Sequence, residues 1–494
     1  MYEAKYQKYI TKNESRFAEA SEIMRSATLA FGKGNIKQAA GIPLYSKNGK
    51  VYVDAEDNHT LVIGPTGCKK SRVTVNTTVA SIIESGESAI INDPKGEIYR
   101  KTSHRAQELG AEVVVLNFRN PSYSYGWNPL AQARKFQAEG KTDEALQCVN
   151  DFAEAIIAPA LSKTVDSYWG STTKIFLAAL VLMLMDSVTS DYFNIKTLIP
   201  FCYERYQGLL KEIAEKMDQT STATFGLRTV VDLEAEKTKS CIYSTLLSVM
   251  QPFAQNKNLN EMLCDDSLDL EKIGKKQMLV YLLYPDEKEN LNFLVNLFIT
   301  QCYETLVVVA SESPNDRLPV RVNFVLDEFS NLVPINNFDN RISESRSKNI
   351  RYFIFLQSFG QLKQKYAETA ETIISNCNNW ICFSSKEMEF LNKISQICGK
   401  EVDYNGREHD LISPFTMQFL EKRLESSEVL IIKQGHYPFV TALPDFDYLG
   451  ISNAYETSVV PKSKIQRNIE FVTPEQWVAK ISGDMFSFPY PKAS

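Results

Sequence analysis

The segment HTLVIGPTGCKKS, His59 to Ser71, is the strongest indication of how this chain folds. It opens with a short β-rich run and continues through a glycine-rich loop into a segment after Lys70 that can be helical up to Gly86. A strand, a glycine-rich loop and a helix in this order are the context of a P-loop, in which backbone N–H groups at a helix N-terminus cradle phosphate oxygens. The alternative interpretation is an ordinary glycine turn between a strand and a helix.

The loop departs from the P-loop pattern at one position. The pattern GxxxxGK[ST] has glycine before its lysine, whereas this chain has Lys69. A side chain there is expected to weaken binding or to shift the loop, because glycine lets the backbone approach phosphate closely. Lys70 is predicted to reach the β- and γ-phosphates, and Ser71 to hold Mg²⁺ through its hydroxyl. The predicted nucleotide-binding residues are Gly64, Pro65, Thr66, Gly67, Cys68, Lys69, Lys70 and Ser71.

A second segment, FVLDEFSNL from Phe324 to Leu332, predicts a buried strand that ends in two carboxylates. Asp327 is expected to support Mg²⁺, and Glu328 to polarise the attacking water. Apolar strands that end in two acids are common, so this signal is weak alone and strong only beside the loop at Gly64 to Ser71. The two segments are too far apart in sequence for one compact sheet, which predicts a large insertion between them.

The rhythm of the chain supports that insertion. Between residues 145 and 275 the apolar residues have helical spacing, whereas β-rich runs alternate with helical stretches on both sides. The fold class is therefore α/β, a mostly parallel sheet flanked by helices with a large all-α domain inserted between the two motifs. The β-rich runs lie at 59–67, 88–96, 111–118, 277–285, 321–328, 351–358, 379–385 and 428–435. The predicted division is a basic arm at 1–50, a nucleotide-binding domain at 51–144 and 276–448, the all-α insertion at 145–275 and a tail at 449–494.

Composition narrows the class of protein. The 494 residues carry a net charge of −6, which argues against a histone-like coat that grips DNA with its whole surface. The basic arm is expected to face a membrane surface or an acidic partner, or simply to be solvated. The longest apolar run, Ile175 to Met185, is far shorter than the ~20 residues of a membrane-spanning helix. The nine cysteines and four histidines match no disulfide framework and no usual zinc spacing, which favours buried free thiols in a cytosolic protein.

Together these motifs resemble those of type IV coupling proteins of the TraG/TraD class, the RecA-like ATPases that feed DNA or protein substrates into type IV secretion channels. The resemblance runs from about Asp57 to Pro444. Besides the two segments already quoted, it rests on DPKGE at Asp93–Glu97, NP within Gly126–Ala131, Lys237 and Thr238, SRS at Ser345–Ser347, QS at Gln357 and Ser358, and NC at Asn376 and Cys377.

The resemblance implies roles for two further residues. Gln357 ends an apolar strand, where its amide is expected to sense the γ-phosphate or the water; a strand-end hydrogen bond is the alternative. Arg346 resembles the arginine that reaches toward nucleotide at a subunit junction and stabilises developing charge there; a solvated surface charge is the alternative. Lys95 and Glu97 are interpreted as structural or as contacts to a neighbouring subunit. The predicted catalytic residues are Lys70, Glu328, Gln357 and Arg346.

The resemblance implies a coupling ATPase that uses ATP and Mg²⁺ and forms a hexamer when active, with a monomer expected in isolation. Its expected partners are single-stranded DNA, a relaxase and the channel components. The usual transmembrane stem is missing before Gly64, so we expect either a soluble form docked on a separate membrane component or a shortened chain. The expected location is the cytoplasm, at the inner face of the membrane. A nucleotide-binding adaptor without turnover, favoured by Lys69, and an FtsK-like DNA pump are the alternatives.

Overall fold

The computed structural model describes residues 15–32, 35–36, 38–161, 167–285, 291–402 and 407–483. The ends of the predicted arm and tail, 1–14 and 484–494, lie outside the described residues. Strands β1 to β15 are, in chain order, Thr28–Gly32, Asn35–Ile36, Ile42–Lys47, Lys50–Asp54, His59–Ile63, Ser88–Asn92, Glu112–Asn117, Met278–Leu283, Val322–Leu326, Ile350–Leu356, Cys377–Cys382, Lys400–Val402, Glu408–Asp410, Ser426–Lys433 and Phe439–Pro444.

Helices separate most of these strands. A π-helical turn, Ser71–Val75, runs directly into the first long helix, and short 3₁₀ turns include Ser345–Lys348 and Phe446–Tyr448. The α-helices are Ala20–Arg25, Asn76–Glu84, Glu97–Glu108, Ala131–Ala138, Thr142–Leu161, Ser167–Ser187, Ile195–Phe201, Gln207–Lys216, Thr222–Val231, Glu236–Gln255, Lys257–Met262, Lys272–Lys275, Asn292–Ser311, Phe338–Glu344, Phe359–Tyr366, Ala370–Asn376, Met388–Cys398, Pro414–Gln418 and Pro474–Gly483.

The main sheet has the strand order β15-β14-β11-β5-β10-β9-β6-β8-β7. The pairs from β11 through β5, β10, β9 and β6 to β8 are parallel, whereas β14 is antiparallel to β11 and to β15. Every residue of β5, β6, β9 and β10 is buried, as expected for parallel strands covered on both faces. This arrangement confirms the predicted mostly parallel sheet, and each predicted β-rich run contains a strand. The sequence does not predict β15, because its residues alternate between buried and more exposed and end in proline.

The described part of the predicted basic arm is folded. Strands β1 to β4 form an antiparallel sheet in the order β2-β1-β4-β3. Apolar side chains such as Phe31, Ile42 and Leu44 are buried, while Lys47 and Lys50 remain exposed. The described residues 28–32, 35–36 and 38–50 are therefore part of a sheet with a buried apolar side rather than a solvated arm, and Lys47 and Lys50 lie at its exposed positions.

The chain divides into two compact units. One comprises the described residues of Met1–Val114, Lys272–Leu283 and Val307–Val460, and the other those of Val115–Glu271, Tyr284–Leu306 and Pro461–Ser494. The second unit is mainly helical, and its longest segment lies in sequence between the two motifs, as the predicted insertion requires. This unit includes residues outside the predicted insertion at 145–275. Trp127 and Phe298, for example, pack edge-on within it, with ring centroids 5.2 Å apart. The five-part division itself stays a prediction.

Two described helices have the length and composition of a membrane span, and both are largely buried. They contain the segments Trp169–Ser187 and Asn292–Ser311, whose apolar windows are 67% and 78% buried. Helices in the core of a globular unit pass the same length and composition test, so these two helices are weak indications of a membrane-spanning segment.

Candidate functional site

The segment from Gly64 to Ser71 is a tight loop between β5 and the helical stretch that begins at Ser71. The amide of Gly64 donates to the carbonyl of Leu356 on the neighbouring strand β10, at 3.2 Å. A Cβ atom at position 64 would lie 2.7 Å from both Cys68 Sγ and Phe383 Cβ. Such distances are shorter than van der Waals contact, so the start of this loop has room only for glycine.

Lys69 adopts a backbone conformation that favours glycine. Its φ is 71°, in the left-handed region, as is the φ of 81° at Gly67. A non-glycine residue in this region costs about 1–2 kcal/mol. Its ammonium group donates to the carbonyls of Arg423 and Leu424 at 3.0 and 2.6 Å and to Asp445 Oδ2 at 3.2 Å. The Lys69 side chain extends away from the loop to Asp445. The predicted weaker binding or shifted loop stays a prediction.

Lys70 stays within the loop. Its ammonium group donates to the carbonyl oxygen of Gly64 and, at 3.4 Å, to that of Pro65. Its own carbonyl accepts a hydrogen bond of 2.7 Å from the hydroxyl of Thr74 in the following turn. The positive charge of Lys70 therefore lies over the concave side of the loop, where an anion would neutralise it.

Ser71 and Asp327 are in direct contact. The Ser71 hydroxyl donates to Asp327 Oδ2 at 2.9 Å, although the residues are 256 positions apart in sequence. Asp327 directly follows β9, and the side-chain amide of Asn92, at the end of β6, donates to its carbonyl. Burial raises the pKa of Asp327 to about 6, with the hydrogen bond from Ser71 acting in the opposite direction. A hydroxyl and a carboxylate at this distance are the oxygen donor types that Mg²⁺ takes beside phosphates, so the residues present fit that ion.

Glu328 is held in a left-handed conformation, with φ of 51°. Its amide donates to Asp327 Oδ1 at 3.0 Å, and its carboxylate accepts a bond of 2.7 Å from the side-chain amide of Asn331. Lys95 Nζ lies 3.6 Å from Glu328 Oε1. This contact joins the DPKGE segment to the acidic end of β9 within one chain. It agrees with the interpretation of Lys95 as a structural residue.

Asp93 begins the DPKGE segment and is buried. Burial raises its pKa to about 7, while hydrogen bonds from backbone amides, chiefly that of Tyr99, act against the rise. The Tyr99 amide lies 2.7 Å from Asp93 Oδ2. Asp93 therefore fixes the start of the helix Glu97–Glu108.

Gln357 directly follows β10, the strand that lies between β5 and β9 in the sheet. Parallel strands bring their carboxyl ends to one edge, so Gln357 is at the same edge as the loop and Asp327. Its side chain forms no hydrogen bond with any residue that the structure describes. The strand-end hydrogen bond that the sequence left open is therefore not formed within the described ranges.

Arg346 is exposed in the 3₁₀ turn that precedes β10. It lies at the amino edge of the sheet, because β10 is parallel to β5 and begins only at Ile350. A strand of this length spans about 20 Å, at roughly 3.3 Å per residue. The structure therefore does not bring Arg346 to the loop of its own chain, and any role at a nucleotide requires a second chain.

Sequence reasoning misses three residues around the loop. Lys422 Nζ donates to the carbonyl of Gly67 at 2.6 Å, and Arg72 Nε lies 2.9 Å from Asp445 Oδ2. No local motif signals Lys422 or Asp445, since both lie more than 350 positions after the loop. For Arg72 the sequence offers one signal, its place directly after Ser71 in the predicted helical segment. It offers none for Lys422 or Asp445.

The family described as Type IV secretory system Conjugative DNA transfer matches residues 4–404. The chain is 23% identical to the conjugal transfer protein TraG of Escherichia coli over 429 residues, covering 78% of this chain and 64% of TraG. It is 21% identical to the type IV secretion system-coupling protein VirD4 of Bartonella henselae, covering 78% of this chain and 62% of VirD4. The chain thus spans less than two thirds of the length of these relatives.

Among solved structures, the chain is similar to the plasmid coupling protein TrwB. In complex with the ATP analogue ADPNP, TrwB aligns with a TM-score of 0.61 at 14% identity, over 90% of this chain and 97% of TrwB. TrwB in complex with ADP and Mg²⁺ aligns with a TM-score of 0.60 at 14% identity and the same coverage. At this identity the likeness concerns the fold, and it confirms the predicted RecA-like fold class.

Proposed function

Because the chain belongs to the type IV secretory system conjugative DNA transfer family, we propose that it is a coupling ATPase. It recruits a relaxase–DNA or protein substrate and delivers it to a type IV secretion channel, driven by ATP binding and hydrolysis. One observation carries the nucleotide part of this proposal: the 2.9 Å hydrogen bond between Ser71 and Asp327, which joins the glycine-rich loop to the acidic end of β9. An anion-binding loop and a pair of Mg²⁺-type ligands then lie side by side.

Each side chain of the site has its own role in the proposed binding and hydrolysis of ATP. The Lys70 ammonium group binds the β- and γ-phosphate oxygens, exchanging loop carbonyls for an anion. Ser71 and Asp327 would hold Mg²⁺, and the bound ion would neutralise charge on the phosphates. Glu328 accepts a proton from the attacking water or orients it, and Gln357, at the same sheet edge, senses the γ-phosphate or the water. TrwB was solved with ADPNP and with ADP and Mg²⁺, which supports ATP and Mg²⁺ as the ligands.

The partners follow from the proposed family role. Single-stranded DNA, a relaxase and the components of a type IV secretion channel are the proposed partners, and the proposed active form is a hexamer of this chain. We place it in the cytoplasm, recruited to the inner face of the membrane by a separate membrane partner. The family match favours this assignment over an FtsK-like DNA pump.

Purified protein is expected to hydrolyse Mg²⁺-ATP slowly and to do so several-fold faster with single-stranded DNA. DNA that bridges neighbouring chains would raise the population of assembled sites. Phosphate release, measured with and without an unstructured oligonucleotide, tests this. A rate that DNA leaves unchanged at every protein concentration would contradict DNA-driven assembly.

Glu328→Gln is expected to lower turnover by roughly 10²-fold or more, since the amide cannot accept the proton of the attacking water. Nucleotide affinity should remain near that of the wild type, because the amide keeps the shape of the carboxylate and its contact with Asn331. Phosphate release and calorimetric titration with ADPNP separate the two effects. Glu312→Gln, an acid on another surface turn, is the control. An unchanged rate in Glu328→Gln would remove Glu328 from the mechanism.

A nucleotide-binding adaptor is the second candidate, and Lys69 is the feature that favours it. Its ammonium contacts tie the loop to Arg423, Leu424 and Asp445, which would slow any step that moves the loop. Faster turnover in Lys69→Gly would show that this residue restrains a competent site. ADPNP binding without turnover in both proteins would favour the adaptor.

A further inference from the structure

Lys69 is anchored outside the phosphate loop. Its side chain is only 13% exposed, and its ammonium group has three acceptors: two backbone carbonyls in the segment Arg423–Leu424 and the carboxylate of Asp445. The acceptors come from two places, before β14 and after β15. An ammonium group has three N–H donors, so these contacts saturate it.

Asp445 is fully buried and fixed in place. Its side chain is 0% exposed, and its own amide donates to the carbonyl of Glu425 at 2.7 Å. Its carboxylate also accepts from Arg72, with Nε at 2.9 Å and Nη2 at 3.1 Å, and from the amide of Asp447 at 3.2 Å. A carboxylate held in this way is a rigid partner for the lysine.

We infer that Lys69 and Asp445 form a strap that holds the phosphate loop in its nucleotide-binding conformation. The left-handed backbone at position 69 is the conformation that glycine supplies freely, and here the ammonium contacts stabilise it instead. The same contacts keep the lysine side chain away from the concave side of the loop. Asp445 is thus a positioning residue for nucleotide, acting through Lys69. This inference rests on the proposed function, because it concerns the same loop.

A double-mutant cycle on the full chain tests the strap. The probe is ADPNP with Mg²⁺, titrated calorimetrically into the wild type, Asp445→Asn, Lys69→Gly and the double variant. Asp445→Asn is expected to weaken ADPNP binding roughly tenfold or more in the wild-type background, since the negative charge that holds the half-buried Lys69 ammonium group is lost. In the Lys69→Gly background the same substitution should cost less than about twofold, because glycine needs no strap.

Asp447→Asn is the matched control. Asp447 pairs with Arg72 and Lys101 but not with Lys69, so its effect should be equal in both backgrounds. An equal loss for Asp445→Asn in both backgrounds would overturn the strap, because it would mean that Asp445 acts only through Arg72 or through general stability. Thermal unfolding of all variants identifies the latter effect.

A second comparison covers the case in which Asp445→Asn does not fold. Lys69→Met keeps a side chain on the left-handed backbone but loses every ammonium contact, so it should bind ADPNP at least tenfold more weakly than Lys69→Gly. Equal affinities would overturn the inference. Wild-type protein that binds no ADPNP would overturn the proposed function together with the strap, whereas binding with an additive cycle would overturn the strap alone.

Discussion

Lys70→Ala is expected to lower ATP turnover by roughly 10³-fold, which would leave no measurable activity above background. The ammonium group at this position contacts loop carbonyl oxygens, which exchange readily for phosphate oxygens. Alanine removes that charge without filling the space. Phosphate release and calorimetric titration with ADPNP are the measurements, and both turnover and ADPNP binding should be lost.

Lys363→Ala provides the matched control for the loss of a lysine. Lys363 forms an exposed ion pair of 2.6 Å with Glu389, and such pairs contribute little to stability or function. Its turnover should equal that of the wild type. Equal turnover in wild type and Lys70→Ala would show that the measured hydrolysis does not come from this site, and the adaptor would then stand.

Arg346→Ala is expected to lower turnover by about 10³-fold in assembled protein while ADPNP binding is retained. Arg346 lies at the sheet edge opposite to the loop of its own chain, so its charge stabilises the transferred phosphoryl group only if a neighbour supplies the nucleotide. An exposed arginine that is merely solvated would give no change. The measurement is phosphate release with single-stranded DNA present.

Mixing two inactive variants separates these outcomes. Arg346→Ala protein retains Glu328 and Glu328→Gln protein retains Arg346, so a junction between the two restores one complete site. Partial recovery of turnover in the mixture, absent from either protein alone, would show that the arginine acts between chains. No recovery in mixed assemblies, confirmed by light scattering, would contradict that role.

Isolated chains are expected to be monomers at low concentration, and a stable hexamer without nucleotide would contradict this expectation.

The sequence predicts the sheet and the proximity of its two motifs because both depend on local patterns. Apolar runs such as those before Gly64 and Asp327 have one stable environment, the middle of a parallel sheet, and their carboxyl ends then meet at one edge. The contact between Ser71 and Asp327 follows from this geometry. The assigned roles of Lys70, Glu328 and Gln357 stay predictions, since they concern chemistry rather than position.

The remaining features depend on contacts that no local pattern encodes. The direction of the Lys69 side chain is set by Asp445, and the sequence gives no reason to pair residues so far apart. The sequence does not predict the N-terminal sheet, because the basic residues within 1–50 indicate a solvated arm although Phe31 and Leu44 are buried. The distance of Arg346 from the loop becomes apparent only from the direction of β10.

Strand β10 carries Arg346 just before its start and Gln357 just after its end, and all seven of its residues are buried between parallel neighbours. Close packing on both faces lets such a strand transmit strain along its length. In the proposed ring, β10 would therefore link the phosphate-binding edge of each chain to Arg346, which faces the next chain. The position of this strand would then transmit the occupancy of one nucleotide site to the neighbouring site.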